Sequence, residues 1–246
     1  MRRSTAAVVA VVVVVLIAGG AGYFYFFSGL RTAPKPLALP SPSPNAASST
    51  PASSASTGPV ALAGTWTVGQ GSQAGYRVRE QFAGQSSPHE AVARTNGVSG
   101  GLAVEQQSSG GFQANDISFT TQLANLQSVD QVAGYNVSQR DRIVSRTLDV
   151  QQFPAATFKA GSVAVPQAAA SGQQVELSVP GQLTIHGVTR PATATVEARV
   201  NGTQLQVAGS VPIVMTDFGI SPPQVPITTV QPNVAIEFQL VLTKSS

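Results

Sequence analysis

The chain has 246 residues, 42% of them apolar and 10% charged, which is enough for one large β domain or two small ones. Its net charge of +3 comes from the first 60 residues, because beyond them ten Lys and Arg side chains face eleven acids; this near-neutral balance argues against nucleic-acid binding. The absence of cysteine excludes disulfides, thiolate metal sites and cysteine nucleophiles.

A long apolar run lies near the N-terminus. After a short tail, residues 1–5, residues 6–27 contain no charge, and a helix of that length spans about 33 Å, enough for a bilayer core of about 30 Å. Arg2 and Arg3 lie on one side and Arg31 and Lys35 on the other, and with the very short tail this favours a cytoplasmic N-terminus. We therefore predict an uncleaved transmembrane signal-anchor. The alternative is a cleaved, secreted chain, for which residues 18–22 offer small side chains near a cleavage site.

The next stretch is a predicted linker. Residues 28–60 hold seven of the 17 prolines, and Ser, Ala and Thr fill most of the gaps. Such a composition has no periodic apolar face to bury. We expect it to tether the rest of the chain, residues 61–246, to the membrane.

From residue 64 onward the pattern is one of strands. Apolar residues alternate with polar ones in about eight or nine short segments, separated by glycine and proline. Residues 137–148 differ, because their apolar residues are irregularly spaced among arginines, and we expect a short helical or irregular connection there. Residues 83–96 carry little pattern and are expected to form a loop at the mouth of the domain.

The clearest unit is a hairpin centred on Gly187. Apolar residues occupy odd positions from Val175 to Ile185 and even positions from Ala192 onward, so two strands meet at a turn. Glycine tolerates the positive φ of a tight reversal, and Pro191 fits near the start of the returning strand. Periodicity alone leaves a barrel and a sandwich open.

Several motifs occur in the same order as in a known family. They are GTWTV at 64–68, SQAGYRV at 72–78, FPAATF at 153–158, GQLTIHGVTR at 181–190 and DFGI at 217–220. The chain resembles the YceI-like, lipocalin-like polyisoprenoid-binding domains. This resemblance implies an all-β fold, an eight-stranded antiparallel barrel, with an elongated apolar cavity that holds an isoprenoid or similar amphiphilic lipid.

We predict that large apolar side chains on the inward faces of the strands contact this lipid. An eight-stranded barrel has room for packed side chains or for one small ligand, so the same residues also suit a filled core. The predicted lipid-binding residues are Tyr76, Val78, Phe82, Phe119, Phe158, Leu183, Ile185, Ile213, Phe218 and Phe238.

Polar residues give no catalytic pattern. His89 lies in a polar stretch and is expected to be exposed, and His186 is expected to hydrogen-bond the hairpin turn. Two distant histidines do not make a metal site. Arg140 with Asp141 can hold a lipid phosphate or brace the connection by ion pairs, and we favour bracing. The acids are scattered singly, so we predict that the protein is not an enzyme.

These observations lead to one leading hypothesis and two alternatives. The first is a membrane-tethered extracytoplasmic protein that binds an isoprenoid lipid and needs no cofactor. The second is a structural or interaction module of the cell envelope with a filled barrel. The third is an enzyme acting on a lipid-like substrate.

Overall fold

The computed structural model describes residues 31–40, 62–83, 88–132, 135–201, 203–226 and 228–245. The predicted anchor, residues 6–27, lies outside these ranges. None of the described helices is long and apolar enough to cross a membrane.

The helix α1 is Ser138–Thr147 and short 3₁₀ turns occupy Leu123–Asn125, Gln167–Ser171 and Met215–Phe218. The strands are β1 (Arg31–Thr32), β2 (Gly64–Val68), β3 (Gln73–Phe82), β4 (His89–Thr95), β5 (Val98–Gln106), β6 (Phe112–Gln122), β7 (Gln127–Ser128), β8 (Gln131–Val132), β9 (Ala155–Ala160), β10 (Val163–Val165), β11 (Val175–Ile185), β12 (Val188–Asn201), β13 (Gln204–Val214), β14 (Gln224–Val225) and β15 (Thr228–Lys244).

Eight of these strands close into an antiparallel barrel. The order around the wall is β13-β12-β11-β9-β6-β5-β2-β15. Strand β15 closes the barrel by pairing with the whole length of β13. The prediction of an eight-stranded antiparallel barrel is therefore confirmed. The short helical connection is confirmed as well, because α1 lies within residues 137–148.

The wall is extended on one side by a branch of the sheet. The last residues of β15 pair with β2, whereas its first twelve residues run beside β3. Strand β3 pairs with β4, and β4 with β7. The expectation of a mouth loop at residues 83–96 was wrong for half of that range, because β4 occupies it; the alternation of β4 is interrupted because Ala91, Val92 and Ala93 are all buried.

The registers define two ends of the barrel. The end that we call the helix end carries α1, the β11–β12 turn and the pair formed by Phe82 of β3 and Thr228 of β15. The end that we call the far end carries the β12–β13 turn and the pair formed by Lys244 of β15 and Trp66 of β2. At about 3.3 Å per residue and a strand tilt of about 40°, the two ends lie roughly 30 Å apart.

The predicted hairpin around Gly187 is confirmed as β11 and β12. Its two turn residues, His186 and Gly187, have φ of 52° and 73°, which suits a two-residue hairpin turn. The ring of His186 packs edge-on against Phe153 at 4.9 Å between centroids. Pro191 is the fourth residue of β12 and precedes Thr195, where β13 joins as the second neighbour.

Glycines on the inner wall make room for aromatic rings. A Cβ at Gly181 would lie 2.6 Å from Cζ of Phe158, and one at Gly209 would lie 2.8 Å from Cζ of Phe238. Both rings therefore cover backbone that has no side chain. This arrangement places two phenylalanine rings against glycines of the inner wall.

Part of the predicted linker lies on the outside of the barrel. Residues 31–40, which we call the strap, begin at the helix end, where Arg31 and Thr32 pair with Val132 and Gln131 of β8. The strap then crosses the sheet toward the far end, and the carbonyl of Pro40 accepts a hydrogen bond from Arg199. The rest of the range 28–60 lies outside the described residues.

Candidate functional site

The barrel encloses an apolar cavity of about 280 Å³. Side chains from seven of the eight barrel strands, all except β2, line it together with side chains of β3 and α1. An apolar cavity of about 150 Å³ is enough to bind benzene in a protein core. The interior is therefore large enough for a branched hydrocarbon chain.

Most of the predicted lipid-binding residues surround this cavity. They come from six strands that are distant in the sequence but share the inward face of the wall. The contact with lipid itself stays a prediction. The residues that line the cavity are Tyr76, Val78, Phe119, Phe158, Leu183, Ile185, Ile213 and Phe238.

Two predicted residues lie elsewhere. Phe82 has the same parity as Tyr76 on β3, but it lies beyond the end of the cavity and packs on Tyr135, with 5.5 Å between ring centroids. Phe218 belongs to a 3₁₀ turn rather than a strand and is buried outside the cavity wall. Strand alternation fixes the face of a side chain but not its depth along the barrel.

The helix α1 supplies one wall of the cavity at the helix end. Ile143, Val144, Thr147 and Leu148 line the cavity, and their spacing puts them on one face of a helix. The sequence contains this signal, but it is short and lies among arginines. At this end the cavity is bounded by a helix rather than by hydrogen-bonded strands.

A buried charged cluster lies at the same end. Arg140 donates to Asp130 Oδ1 at 2.7 Å and forms an ion pair with Glu80, with 3.0 Å between Nε and Oε1. Asp130 also accepts hydrogen bonds from His89 Nε2 at 2.7 Å and from the backbone N–H of Val92 at 3.0 Å. All four side chains of the cluster, Glu80, His89, Asp130 and Arg140, are at most 7% exposed.

The cluster sets the ionisation of its members. Burial by itself raises the pKa of Asp130, but the hydrogen bonds from His89 and Arg140 outweigh it and lower the pKa to about 2. Burial raises the pKa of Glu80 despite the opposing charge of Arg140. Burial also raises the pKa of Tyr76, so its hydroxyl stays protonated. The polar end of the cavity therefore offers a neutral phenol beside a mutually neutralised ion pair.

The cluster corrects one prediction and confirms another. His89 is 5% exposed, so the expectation that it is exposed was wrong; it lies on β4 and is held by Asp130. Arg140 braces the connection by ion pairs, as favoured, and Asp141 accepts hydrogen bonds from Ser128. Glu80 is 60 residues from Arg140, a separation at which the sequence gives no signal of contact.

No three His, Cys, Asp or Glu side chains in the described part of the chain are arranged to hold a metal ion. Glu80 and Arg140 are the charged side chains among those that line the cavity. Because these two are paired with each other, the cavity presents an apolar wall with one polar end. This arrangement suits a ligand that is mostly hydrocarbon.

The fold and the cavity define a closed antiparallel β-barrel with an apolar interior. The model of the YceI-like domain matches residues 66–242, which is most of the chain. The chain therefore belongs to the YceI-like domain family. Among curated proteins, none matches it.

Several solved structures have similar folds. A polyisoprenoid binding domain from Saccharophagus degradans, implicated in plant cell wall breakdown, is 16% identical; the match covers 74% of this chain and 99% of that one, with a TM-score of 0.50. BcnA of Burkholderia cenocepacia is 22% identical over 68% of this chain and 95% of that one, with a TM-score of 0.44. The YCEI protein of Campylobacter jejuni is 12% identical over 63% and 85%, with a TM-score of 0.44.

Proposed function

We propose that this protein is a membrane-tethered, extracytoplasmic lipid-binding protein that holds an isoprenoid or similar amphiphilic lipid in its barrel. The single observation that carries the proposal is the apolar cavity of about 280 Å³ inside a closed wall. A cavity of this kind is costly to leave unfilled, because its lining loses packing contacts. A hydrocarbon ligand restores them.

The energy available from burial suits a lipid. Each methylene that leaves water contributes about 0.8 kcal/mol. Ten buried carbons, or about two isoprene units, then supply about 8 kcal/mol, which corresponds to micromolar affinity before ordering costs. The binding energy comes from the tail, so affinity depends mainly on how much chain the cavity accepts.

The choice of an isoprenoid has separate support. The Saccharophagus degradans domain is described as a polyisoprenoid binding domain, and this chain belongs to the same broad family of folds. Methyl branches along a polyprenyl chain match a wall rich in Val, Leu, Ile and Phe. The neutral hydroxyl of Tyr76 offers a hydrogen bond to a polar head.

The tether rests on the sequence. Residues 6–27 are long enough to span a bilayer, and Arg2 and Arg3 favour a cytoplasmic N-terminus. The barrel would then lie outside the cytoplasm, beside the leaflet from which it takes its lipid. A cleaved and secreted barrel is the alternative, which mass analysis of the mature protein distinguishes.

The other two hypotheses have less support. A filled barrel requires side chains that meet across the middle, whereas this interior is open. An enzyme requires a free base or nucleophile beside the ligand. Glu80, the acid that lines the cavity, is instead paired with Arg140. We therefore propose binding without catalysis.

Lipid extraction from matched variants tests the proposal. The full chain is purified in mild detergent, extracted with organic solvent, and its lipids are counted per chain by mass spectrometry. Leu183→Trp fills the cavity, and Thr193→Trp places the same side chain on the exposed face of β12. We expect about one isoprenoid per wild-type or Thr193→Trp chain and at least about tenfold less in Leu183→Trp.

Two results contradict this proposal. One is a wild-type extract without stoichiometric lipid, and the other is equal lipid in both variants. If Leu183→Trp fails to fold by circular dichroism, Ala194→Leu makes a smaller change in the same wall. Ala194 is 2% exposed and lines the cavity.

A further inference from the structure

We propose that the helix end of the barrel faces the membrane and rests its basic side chains on an anionic lipid surface. The proposal rests on the membrane anchor of the proposed function, residues 6–27. Two independent features of the structure carry it. They are the course of the strap and the distribution of charge between the two ends.

The strap brings the N-terminal segment to the helix end. Arg31 and Thr32 pair with β8, which continues the edge beside His89 and the charged cluster. Residues 28–30 separate the apolar run from this pairing. Four Cα steps reach at most about 14 Å. An anchor that ends at residue 27 therefore holds the helix end within about that distance of the bilayer.

Arginines on the outer surface hold the strap in place. Arg77 donates to the carbonyl of Pro34 at 2.7 Å, and Arg94 donates to the carbonyl of Lys35 at 2.6 Å. Arg77 is itself fixed by Glu237 and Glu90, at 2.6 and 2.8 Å. Hydrogen bonds from a charged donor are the strong ones. The strap is thus attached along the height of the barrel rather than at one point.

The exposed side chains of the helix end are mainly basic. Four acids, Glu90, Asp141, Asp149 and Asp217, lie at the same end, but Glu90 is paired with Arg77 and Asp141 accepts hydrogen bonds from Ser128. The exposed arginines at this end are Arg79, Arg142, Arg146 and Arg190.

The far end has the opposite sign. Glu105 and Glu176 are exposed there and Glu197 is half-buried, whereas of the basic residues Lys244 is exposed and Arg199 is half-buried. A basic residue near an anionic membrane contributes about 1 kcal/mol of attraction, and an acidic one is repelled. The charge difference therefore favours the orientation that the strap also imposes.

This orientation places the helix wall of the cavity at the bilayer. Ile143, Val144 and Leu148 separate the cavity from the outside at this end. A helix can shift without breaking the hydrogen bonds of the barrel sheet. The lipid therefore has its shortest route between leaflet and cavity past α1.

Energy transfer from single labels measures the orientation. The chain has no cysteine, so Ser145→Cys on α1 and Ser108→Cys at the far end each give one exposed labelling site. The labelled full chain is reconstituted in phosphatidylcholine and phosphatidylglycerol vesicles that carry a head-group acceptor. Because the ends lie roughly 30 Å apart, we expect at least about twofold more transfer from Ser145→Cys.

The possible outcomes distinguish a failure of the membrane anchor from a failure of the proposed orientation. A chain that does not float with the vesicles overturns the anchor, and the orientation falls with it. A chain that floats but gives equal transfer from both labels, or more from Ser108→Cys, overturns the orientation alone. More transfer from Ser145→Cys supports both.

A disulfide tests the strap directly. Thr32 and Gln131 are Cα partners in β1 and β8, so their Cα atoms lie within the range that a disulfide bridges. Thr32→Cys with Gln131→Cys should oxidise to an internal disulfide. Thr32→Cys with Ser108→Cys is the control that should stay reduced. A folded Thr32→Cys/Gln131→Cys chain without the disulfide overturns the docking of the strap at the helix end.

Discussion

Asp130 is the residue on which the buried charged cluster depends. Its side chain is fully buried and accepts hydrogen bonds from Arg140, His89 and the N–H of Val92. A lone carboxylate would not be tolerated there. The three donors explain why its pKa is lowered to about 2 although burial opposes this.

Asp130→Asn tests this account at the residue scale. The buried guanidinium of Arg140 loses a charged partner, so the free energy of unfolding should fall by about 3–5 kcal/mol at pH 7. A lowered pKa means that the contribution of Asp130 is present above about pH 4 and is lost as the pH falls toward 2. The difference between the two proteins should therefore shrink by about 2 kcal/mol over that window.

Urea denaturation from pH 7 down to pH 2 measures this difference. Glu80 works in the other direction, because burial raises its pKa and a raised pKa favours the fold at low pH. The charge of Asp130 adds to that rise, so the difference between variant and wild type reports Asp130 together with its effect on Glu80. Asp116→Asn is the control, since Asp116 is exposed with a φ of 52°, which asparagine tolerates. A constant gap between Asp130→Asn and wild type would contradict the assignment.

At the element scale, the strap shows what periodicity cannot detect. Its prolines give no alternation, and the groups that bind are backbone carbonyls, whose partners Arg77 and Arg94 lie 43 and 59 residues further along the chain. The strands, by contrast, were predictable because alternation is a local property. Strand β4 was not predicted because buried Val92 lies between buried Ala91 and Ala93 and so interrupts the alternation, although Glu90 and Arg94 on the face of Val92 are half-buried.

Removing two of its donors should release the strap. In Arg94→Ala with Arg199→Ala, the carbonyls of Lys35 and Pro40 lose their partners. Each such bond contributes about 1.5–3 kcal/mol, so amide exchange across residues 31–40 should speed up at least about tenfold. Hydrogen exchange with mass spectrometry measures it, and Arg142→Ala with Arg146→Ala, which changes two exposed arginines, is the control. Unchanged protection in the first variant would show that the strap is held by other contacts.

At the scale of the whole molecule, the closed wall follows from the alternation together with the family motifs. Each strand presents one apolar face, and closure through β13 and β15 buries those faces without leaving edges. The cavity was harder to foresee, because an inward-facing Phe or Leu fills a core and lines a pocket equally well. What separates the two outcomes is volume, which depends on how Phe158 and Phe238 lie over glycines on neighbouring strands.

A ligand in that cavity should stabilise the entire barrel. Farnesol, a short prenol, binds only the folded state if the proposal holds, so its effect follows mass action. At about one hundred times its Kd it should add about 2.7 kcal/mol to the free energy of unfolding. Thermal unfolding at fixed detergent concentration measures the rise in Tm, and Leu183→Trp should show none. An equal rise in both proteins would point to binding outside the barrel.

The strap ends and the first barrel strand begins at the same end of the barrel. The strap ends beside Arg199 near the β12–β13 turn, and Leu62 enters β2 at that same end. The described residues on either side of 41–61, Pro40 and Leu62, therefore lie at one end of the barrel. The entropic cost of joining two such points rises slowly with the length of the connecting segment, by about 0.6 kcal/mol for each doubling. In the proposed orientation, we therefore expect insertions or deletions in this stretch to leave the height of the cavity above the bilayer unchanged.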